Sequence, residues 1–93
     1  MLLGTFALFA QNVPTIEFVN KTGTFIQKIY ISDPESDNWG KEILKEEVIF
    51  PNRSLSIPIT RNGMWDVLVI DENDEEYTFF EVNVQGFKRI VVE

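Results

Sequence analysis

The chain of 93 residues contains no cysteine and no histidine. The absence of cysteine excludes disulfides, thiolate nucleophiles and iron–sulfur clusters. The absence of histidine removes the commonest general base and the commonest transition-metal ligand. Phosphate-binding glycine loops and Ser-x-x-Lys arrangements are also missing from the sequence. We therefore expect a protein that is not an enzyme.

Basic residues are few, because eight Lys and Arg stand against fifteen Asp and Glu for a formal net charge of −7. Nucleic-acid backbones and anionic membrane surfaces repel a chain of this charge, and no basic run interleaves with the aromatic residues. We expect no nucleic-acid partner. The same charge favours solubility and permits cationic partners or metal ions.

The residues that are present favour β-structure. Hydrophobic residues make up 44% of the chain and aromatic residues 13%, with eight Phe. Short alternating segments follow one another from Pro14 onward, separated by turn sequences such as those at 61–63 and 85–86. We predict one all-β domain, an antiparallel two-sheet sandwich of about seven short strands with an Ig-like arrangement.

Three details of this sandwich can be predicted. A short third strand is expected at 47–50. Residues 36–44, after the second strand, are expected to form one short helical turn or a compact loop, with Trp39 and Ile43 packing inward. Pro58 cannot donate to a ladder, so the strand at 55–59 is predicted at a sheet edge.

Trp65 and Asp66 lie on opposite faces of one alternating strand. Trp65 is predicted to belong to the core. Asp66 is predicted either to face solvent or to form a structural ion pair with Arg53, Arg61 or Arg89.

Residues 1–10 are predicted to be the remnant of a secretory signal, which leaves 11–93 as the single folded domain. The apolar run at 2–10 is too short to cross a bilayer and ends at the small residue Ala10. An N-terminal core strand is the alternative, but the alternation of such a strand is absent. The signal implies a secreted or periplasmic protein, with no membrane insertion after its removal.

Several motifs follow in order along the chain: FVNKTG at 18–23, SDNWG at 36–40, PNRS at 51–54 and WDV at 65–67. Their order resembles that of an uncharacterised family of small bacterial exported β-domains, of which the Ser-Asp-x-Trp-Gly element is the most specific part. The resemblance covers most of residues 16–92 and implies export and a β-fold, without an activity. Asn52 and Asn73-Asp74 stand where the family pattern has glycine turns, and these residue types tolerate positive φ.

Five of the six residues at 71–76 are carboxylates. Hard cations such as Ca²⁺ take six to eight oxygen ligands, so Asp71, Asn73, Asp74 and Glu75 are candidate calcium ligands. The segment lacks the glycine, the distal Glu and the helices of an EF-hand, which excludes that motif. The alternative is a solvated hairpin tip whose charges keep the sheet edge soluble.

Trp39, Asp37 and Asp33 form the second candidate site, a binding surface. An exposed Trp beside a glycine can be a ligand platform, because aromatic anchors dominate binding hot spots. Alternatively, the indole closes the end of the core and its N–H bonds to a carbonyl. The Asp33 loop and the 71–76 turn are expected about 20 Å apart, at opposite ends of the strands, and so cannot share a metal.

Three function classes remain. The first is a non-enzymatic binding module of the bacterial cell envelope, whose partner is another envelope protein that contacts an edge strand or loop end. The second is a calcium-binding β-domain. The third is a minimal carboxylate hydrolase, which needs two carboxylates across a cleft and one raised pKa.

Overall fold

The computed structural model describes residues 13–93, so the predicted signal remnant at 1–10 lies outside the described residues. These described residues contain six strands: β1 (Thr15–Asn20), β2 (Ile26–Ser32), β3 (Ser54–Pro58), β4 (Gly63–Asp71), β5 (Glu76–Val84) and β6 (Phe87–Val92). They form two three-stranded sheets, sheet 1 in the order β3-β1-β6 and sheet 2 in the order β2-β4-β5. Sheet 2 is antiparallel, whereas β1 pairs antiparallel with β3 and parallel with β6.

The core lies between the two sheets and follows the alternation of the strands. Ile16 and Phe18 of sheet 1 and Ile29, Val67 and Val69 of sheet 2 are fully buried in one apolar cluster. Apolar burial of this kind is the main stabilising contribution to a small domain. Trp65 belongs to the same cluster, as predicted.

The prediction of an all-β, two-sheet fold is confirmed, but its count of seven strands from Pro14 onward is wrong. Its antiparallel arrangement holds for sheet 2 but not for sheet 1, where β1 pairs parallel with β6. The predicted third strand at 47–50 consists only of an isolated bridge between Ile49 and Ile26. Pro51 and Asn52, whose φ is +64°, turn the chain immediately afterwards and leave no room for a ladder. Pro58 does lie on an edge strand, β3. Residues 13–93 contain no helix long and apolar enough to cross a membrane.

Of the two expectations for residues 36–44, the helical turn is wrong, because the described residues contain no helix, and the segment is a loop. The backbone of this segment bonds to β2 instead of forming a helical turn: the Ile43 amide donates to the Ile29 carbonyl at 2.8 Å. The Glu42 carboxylate accepts the Ile29 amide at 2.8 Å, and it also accepts the amides of Leu44 and Lys45. The segment therefore covers part of the β2 edge, which would otherwise present unpaired amides.

The inward residues of this segment also differ from the expectation. Leu44 is buried in the core, whereas Ile43 is exposed and Trp39 is only partly buried. Gly40 and Lys45 have φ values of +77° and +61°. These positive φ values are incompatible with an α-helical turn and set the loop conformation.

Asn20 joins the β1–β2 turn to the segment that precedes β3. The side chain is fully buried, and its Nδ2 donates to the carbonyls of Thr24 at 2.7 Å and Ile49 at 2.8 Å. Its Oδ1 accepts the amide and the hydroxyl of Thr22. All of the hydrogen-bonding capacity of this buried amide is therefore used.

Candidate binding groove

The outer face of sheet 2, which points away from the core, carries the candidate site. Asp66 and Leu68 face outward because they alternate with the core residues of β4. The register places Ser32 of β2 beside Asp66 and Tyr30 beside Leu68. On the other side of β4, β5 completes the outer face.

A β-bulge in β5 presents Phe80 on this face. Trp65 pairs with Val82 and Val67 with Phe79, so that Phe80 and Glu81 together lie opposite Asp66. The φ of Glu81 is +55°. The side chain of Phe80 is 68% exposed, more than any other large hydrophobic side chain among residues 13–93.

Asp66 stabilises this bulge. Its Oδ1 accepts the backbone amide of Glu81 at 2.8 Å, which holds the strained residue next to Phe80. Among the described residues no arginine pairs with Asp66: Arg61 pairs with Asp33, Arg89 pairs with Glu17, and Arg53 forms no ion pair. The predicted ion pair of Asp66 with an arginine is therefore wrong, and its carboxylate bonds to the bulge.

A shallow cavity of about 220 Å³ lies between this face and the loop that follows β2. We call it the outer groove, and its lining residues are Ser32, Ser36, Asp37, Asn38, Trp39, Asp66 and Phe80. The Ser36 hydroxyl accepts the Asn38 amide and donates to the Asn38 carbonyl, which fixes the loop. Trp39 and Asp37, two of the three predicted binding residues, thus lie together in one groove.

Trp39 contributes an aromatic wall to the groove. It is partly exposed and does not belong to the core cluster. Within the described part of the chain, its indole N–H makes no hydrogen bond, whereas the indole N–H of Trp65 donates to the Arg61 carbonyl at 3.1 Å. Of the two interpretations, ligand platform and core closure, this geometry favours the platform.

Asp33, the third predicted binding residue, lies in an adjacent recess, which we call the side recess. The side recess is lined by Asp33, Pro34, Glu35, Arg61, Met64 and Glu81. Arg61 donates to Asp33 at 2.6 Å and lies 4.1 Å above the Trp65 ring. The Glu35 amide and then the Arg61 guanidinium lower the pKa of Asp33. The Asp33 carboxylate thus already has donors within the protein, the Glu35 amide and the Arg61 guanidinium.

The acidic turn at 71–76 is organised around Asp71, which is 2% exposed. Its Oδ1 accepts the amides of Asn73 and Glu75, and its Oδ2 accepts the hydroxyls of Thr24 and Tyr77. Burial acts to raise the pKa of Asp71, but these hydrogen bonds lower it below its ordinary value. Asp71 is therefore a turn anchor whose oxygens already have partners.

The other predicted calcium ligands, Asn73, Asp74 and Glu75, are exposed. Within residues 13–93, no three acidic side chains are grouped closely enough to hold a metal. The register places Ser32 opposite Asp66 and Ile26 opposite Asp71, so Asp33 and Asp71 lie toward opposite ends of the β2–β4 pair. The structure therefore does not bring the two acidic loops together.

Calcium is expected to leave the thermal stability unchanged. An ion that binds only the folded state at 100 times its Kd would stabilise it by about 2.7 kcal/mol and raise the Tm by several degrees. We expect no such rise when millimolar Ca²⁺ is added to EDTA-treated protein in a thermal melt. A rise that disappears in the Asp74→Asn, Glu75→Gln double variant would establish the turn as a calcium site.

No family model matches the chain, and a search of the curated proteins gives no match either. Among solved structures, the chain is similar to the NMR structure of a protein from Eubacterium rectale, with a TM-score of 0.64 and 20% sequence identity. The match covers 87% of this chain and 77% of the other. Similarity at this identity shows the fold alone. The resemblance to exported bacterial β-domains stays a prediction.

Phe80 and the role of Asp66 could not be identified from the sequence pattern. In a regular strand Phe79 and Phe80 face opposite sides, but the pattern does not say which of the two is buried. The signal that could have drawn attention to them is a polar residue, Asp66, on an otherwise apolar strand.

Proposed function

We propose that this protein is a non-enzymatic binding module whose contact surface is the outer groove. The observation that carries the proposal is the exposed side chain of Phe80, held outward by a bulge that Asp66 stabilises. Bulges often occur where a strand re-aims a side chain next to a functional site. Exposed aromatic side chains beside polar groups are typical of binding hot spots.

The alternative functions have less support. A hydrolase general acid requires a raised pKa, whereas the carboxyl pKa shifts at Glu17, Asp33 and Asp71 are all downward. The outer groove is also smaller than the roughly 300–1,000 Å³ of typical ligand pockets. A calcium-binding role is disfavoured because Asp71, the buried carboxylate of the turn, already has four hydrogen bonds.

The cellular context is part of the proposal. The apolar run and small residue at 2–10 support export, and the resemblance carried by SDNWG at 36–40 supports a bacterial envelope domain. We therefore propose that the partner is another secreted or periplasmic protein.

Phe80→Ser is expected to weaken binding of peptides selected against the protein by at least about tenfold, because it removes the exposed hot-spot residue of the groove. The peptides come from a random phage-displayed library selected on the immobilised full chain, and affinities are measured by calorimetry. Phe87→Ser is the matched control, since Phe87 is 52% exposed but lies on β6 of sheet 1. Equal losses in the two variants, or selected peptides that ignore Phe80, would contradict the proposed function.

A further inference from the structure

We infer that the outer groove receives a positively charged side chain, lysine or arginine, from an extended segment of the partner protein. This inference rests on the proposed binding function and adds the chemical class of the ligand. It is carried by three properties of the outer face of sheet 2: the sign of its charge, the aromatic walls of the groove and the open edge of β5.

The charge around the groove is acidic. Asp37 and Asp66 line it, and no basic residue does. Three acidic residues, Asp33, Glu35 and Glu81, are among those that line the side recess, and Arg61 is the single basic residue in its lining. Arg61 is already paired with Asp33. The potential at the groove therefore attracts a cation, in line with the net charge of −7.

Asp37 and Asp66 retain acceptor capacity for an incoming donor. Asp66 uses Oδ1 for the Glu81 amide, and its Oδ2 has no hydrogen-bond partner among residues 13–93. The Asp37 carboxylate is exposed and accepts no hydrogen bond from the described residues. An ammonium or guanidinium group would supply the donors that both carboxylates can accept.

The two aromatic side chains of the outer groove, Trp39 and Phe80, also favour a cationic ligand. Ring faces of Trp and Phe attract cations through their quadrupoles, and Trp does so best. The protein already contains a contact of this kind, because the Arg61 guanidinium lies 4.1 Å from the centroid of the Trp65 ring. A volume of about 220 Å³ accommodates the end of one long side chain.

The edge of β5 explains why the cation belongs to a polypeptide. Within the described part of the chain, β5 pairs only with β4, so its outer edge is open next to Phe80. An extended segment can add to such an edge by main-chain hydrogen bonds and insert alternate side chains into neighbouring pockets. A small cationic molecule would leave this edge unused.

The inference is tested by titrating the ¹⁵N-labelled full chain with the probe acetyl-Gly-Gly-Arg-Gly-Gly-amide and following the two indole N–H signals by NMR. The Trp39 signal is expected to move saturably, while the Trp65 signal, whose N–H bonds to Arg61, serves as the internal reference. The same peptide with citrulline in place of arginine, which is neutral and nearly isosteric, and the sugar maltotriose are titrated in parallel.

Charge variants identify the carboxylates. The Asp37→Asn, Asp66→Asn double variant is expected to bind the arginine peptide about fivefold or more weakly, because both carboxylates lose their charge. An asparagine oxygen at position 66 can still accept the Glu81 amide, so the bulge is kept. The Asp74→Asn, Glu75→Gln variant removes the same charge from the acidic turn and is expected to change the affinity less than about twofold.

Three results would overturn the inference. Equal binding of the arginine and citrulline peptides would show that charge is not recognised, and binding of maltotriose alone would assign a neutral sugar to the groove. In both cases the proposed binding function would stand. If none of the three ligands moves the Trp39 signal, the cation site is excluded, and the proposed function then depends on the Phe80→Ser comparison with the selected peptides.

Discussion

Asn20→Asp is expected to destabilise the fold by about 3–5 kcal/mol, a large part of the roughly 5–15 kcal/mol available to a small domain. The substitution replaces the two N–H donors of Nδ2 by an acceptor. The carbonyls of Thr24 and Ile49 then lose their donor and face a buried negative charge. The measurement is the free energy of unfolding from urea denaturation at neutral pH.

Asn83→Asp is the matched control for this prediction. Asn83 is exposed on β5, and the substitution adds the same single charge to the protein. We expect a change within about 0.5 kcal/mol at this surface position. Similar losses at the two positions would show that the added charge, rather than the buried hydrogen bonds of Asn20, destabilises the fold.

Asp71→Ala is expected to cost about 2–4 kcal/mol of unfolding free energy at neutral pH. The substitution leaves the amides of Asn73 and Glu75 and the hydroxyls of Thr24 and Tyr77 without their shared acceptor. Glu76→Ala, which removes an exposed carboxylate from the same turn, is the control and is expected to have little effect. Equal effects of the two variants would show that Asp71 does not anchor the turn.

The effect of Asp71→Ala is also expected to depend on pH. The pKa of Asp71 in the folded protein is lower than its ordinary value of 3.8, so its stabilising contribution is complete above that value and is lost as the pH falls through the folded pKa. Burial and the Asp71 charge raise the pKa of Tyr77 above 10.0, so the contribution of the neutral phenol is lost as the pH rises through that pKa. The difference in unfolding free energy between the wild type and the Asp71→Ala variant should therefore become smaller as the pH falls into the acid range.

Local patterns predicted those parts of the fold that depend on local chemistry. The alternation of apolar residues correctly predicted that Trp65 lies in the core. Proline has no N–H to donate, and Pro58 correctly predicted that its strand, β3, lies at a sheet edge. The parallel pairing of β1 with β6 was not predicted, because alternation carries no information on which strands pair or in which direction. The prediction of a helical turn at 36–44 is wrong because Glu42 accepts the amide of Ile29 in β2, a contact between residues thirteen positions apart.

The candidate site was predicted only in part for the same reason. Trp39 and Asp37 are recognisable as residue types in a loop, and both line the outer groove. Phe80 lines it only because the register changes at the bulge opposite Asp66, and register is a property of paired strands. Asparagine is common in turns, so the sequence gives no sign that Asn20 is buried. Its buried side chain donates to the carbonyl of Ile49, which is distant in the sequence.

The most direct test of the outer groove as the binding surface is an NMR map of the backbone amides that shift when a selected peptide binds. We predict that the shifted amides cluster at Ser32, Asp66, Phe80 and the 36–39 loop. Shifts clustered instead on sheet 1 around Phe87, or in the acidic turn at 71–76, would contradict the assignment of the groove as the contact surface.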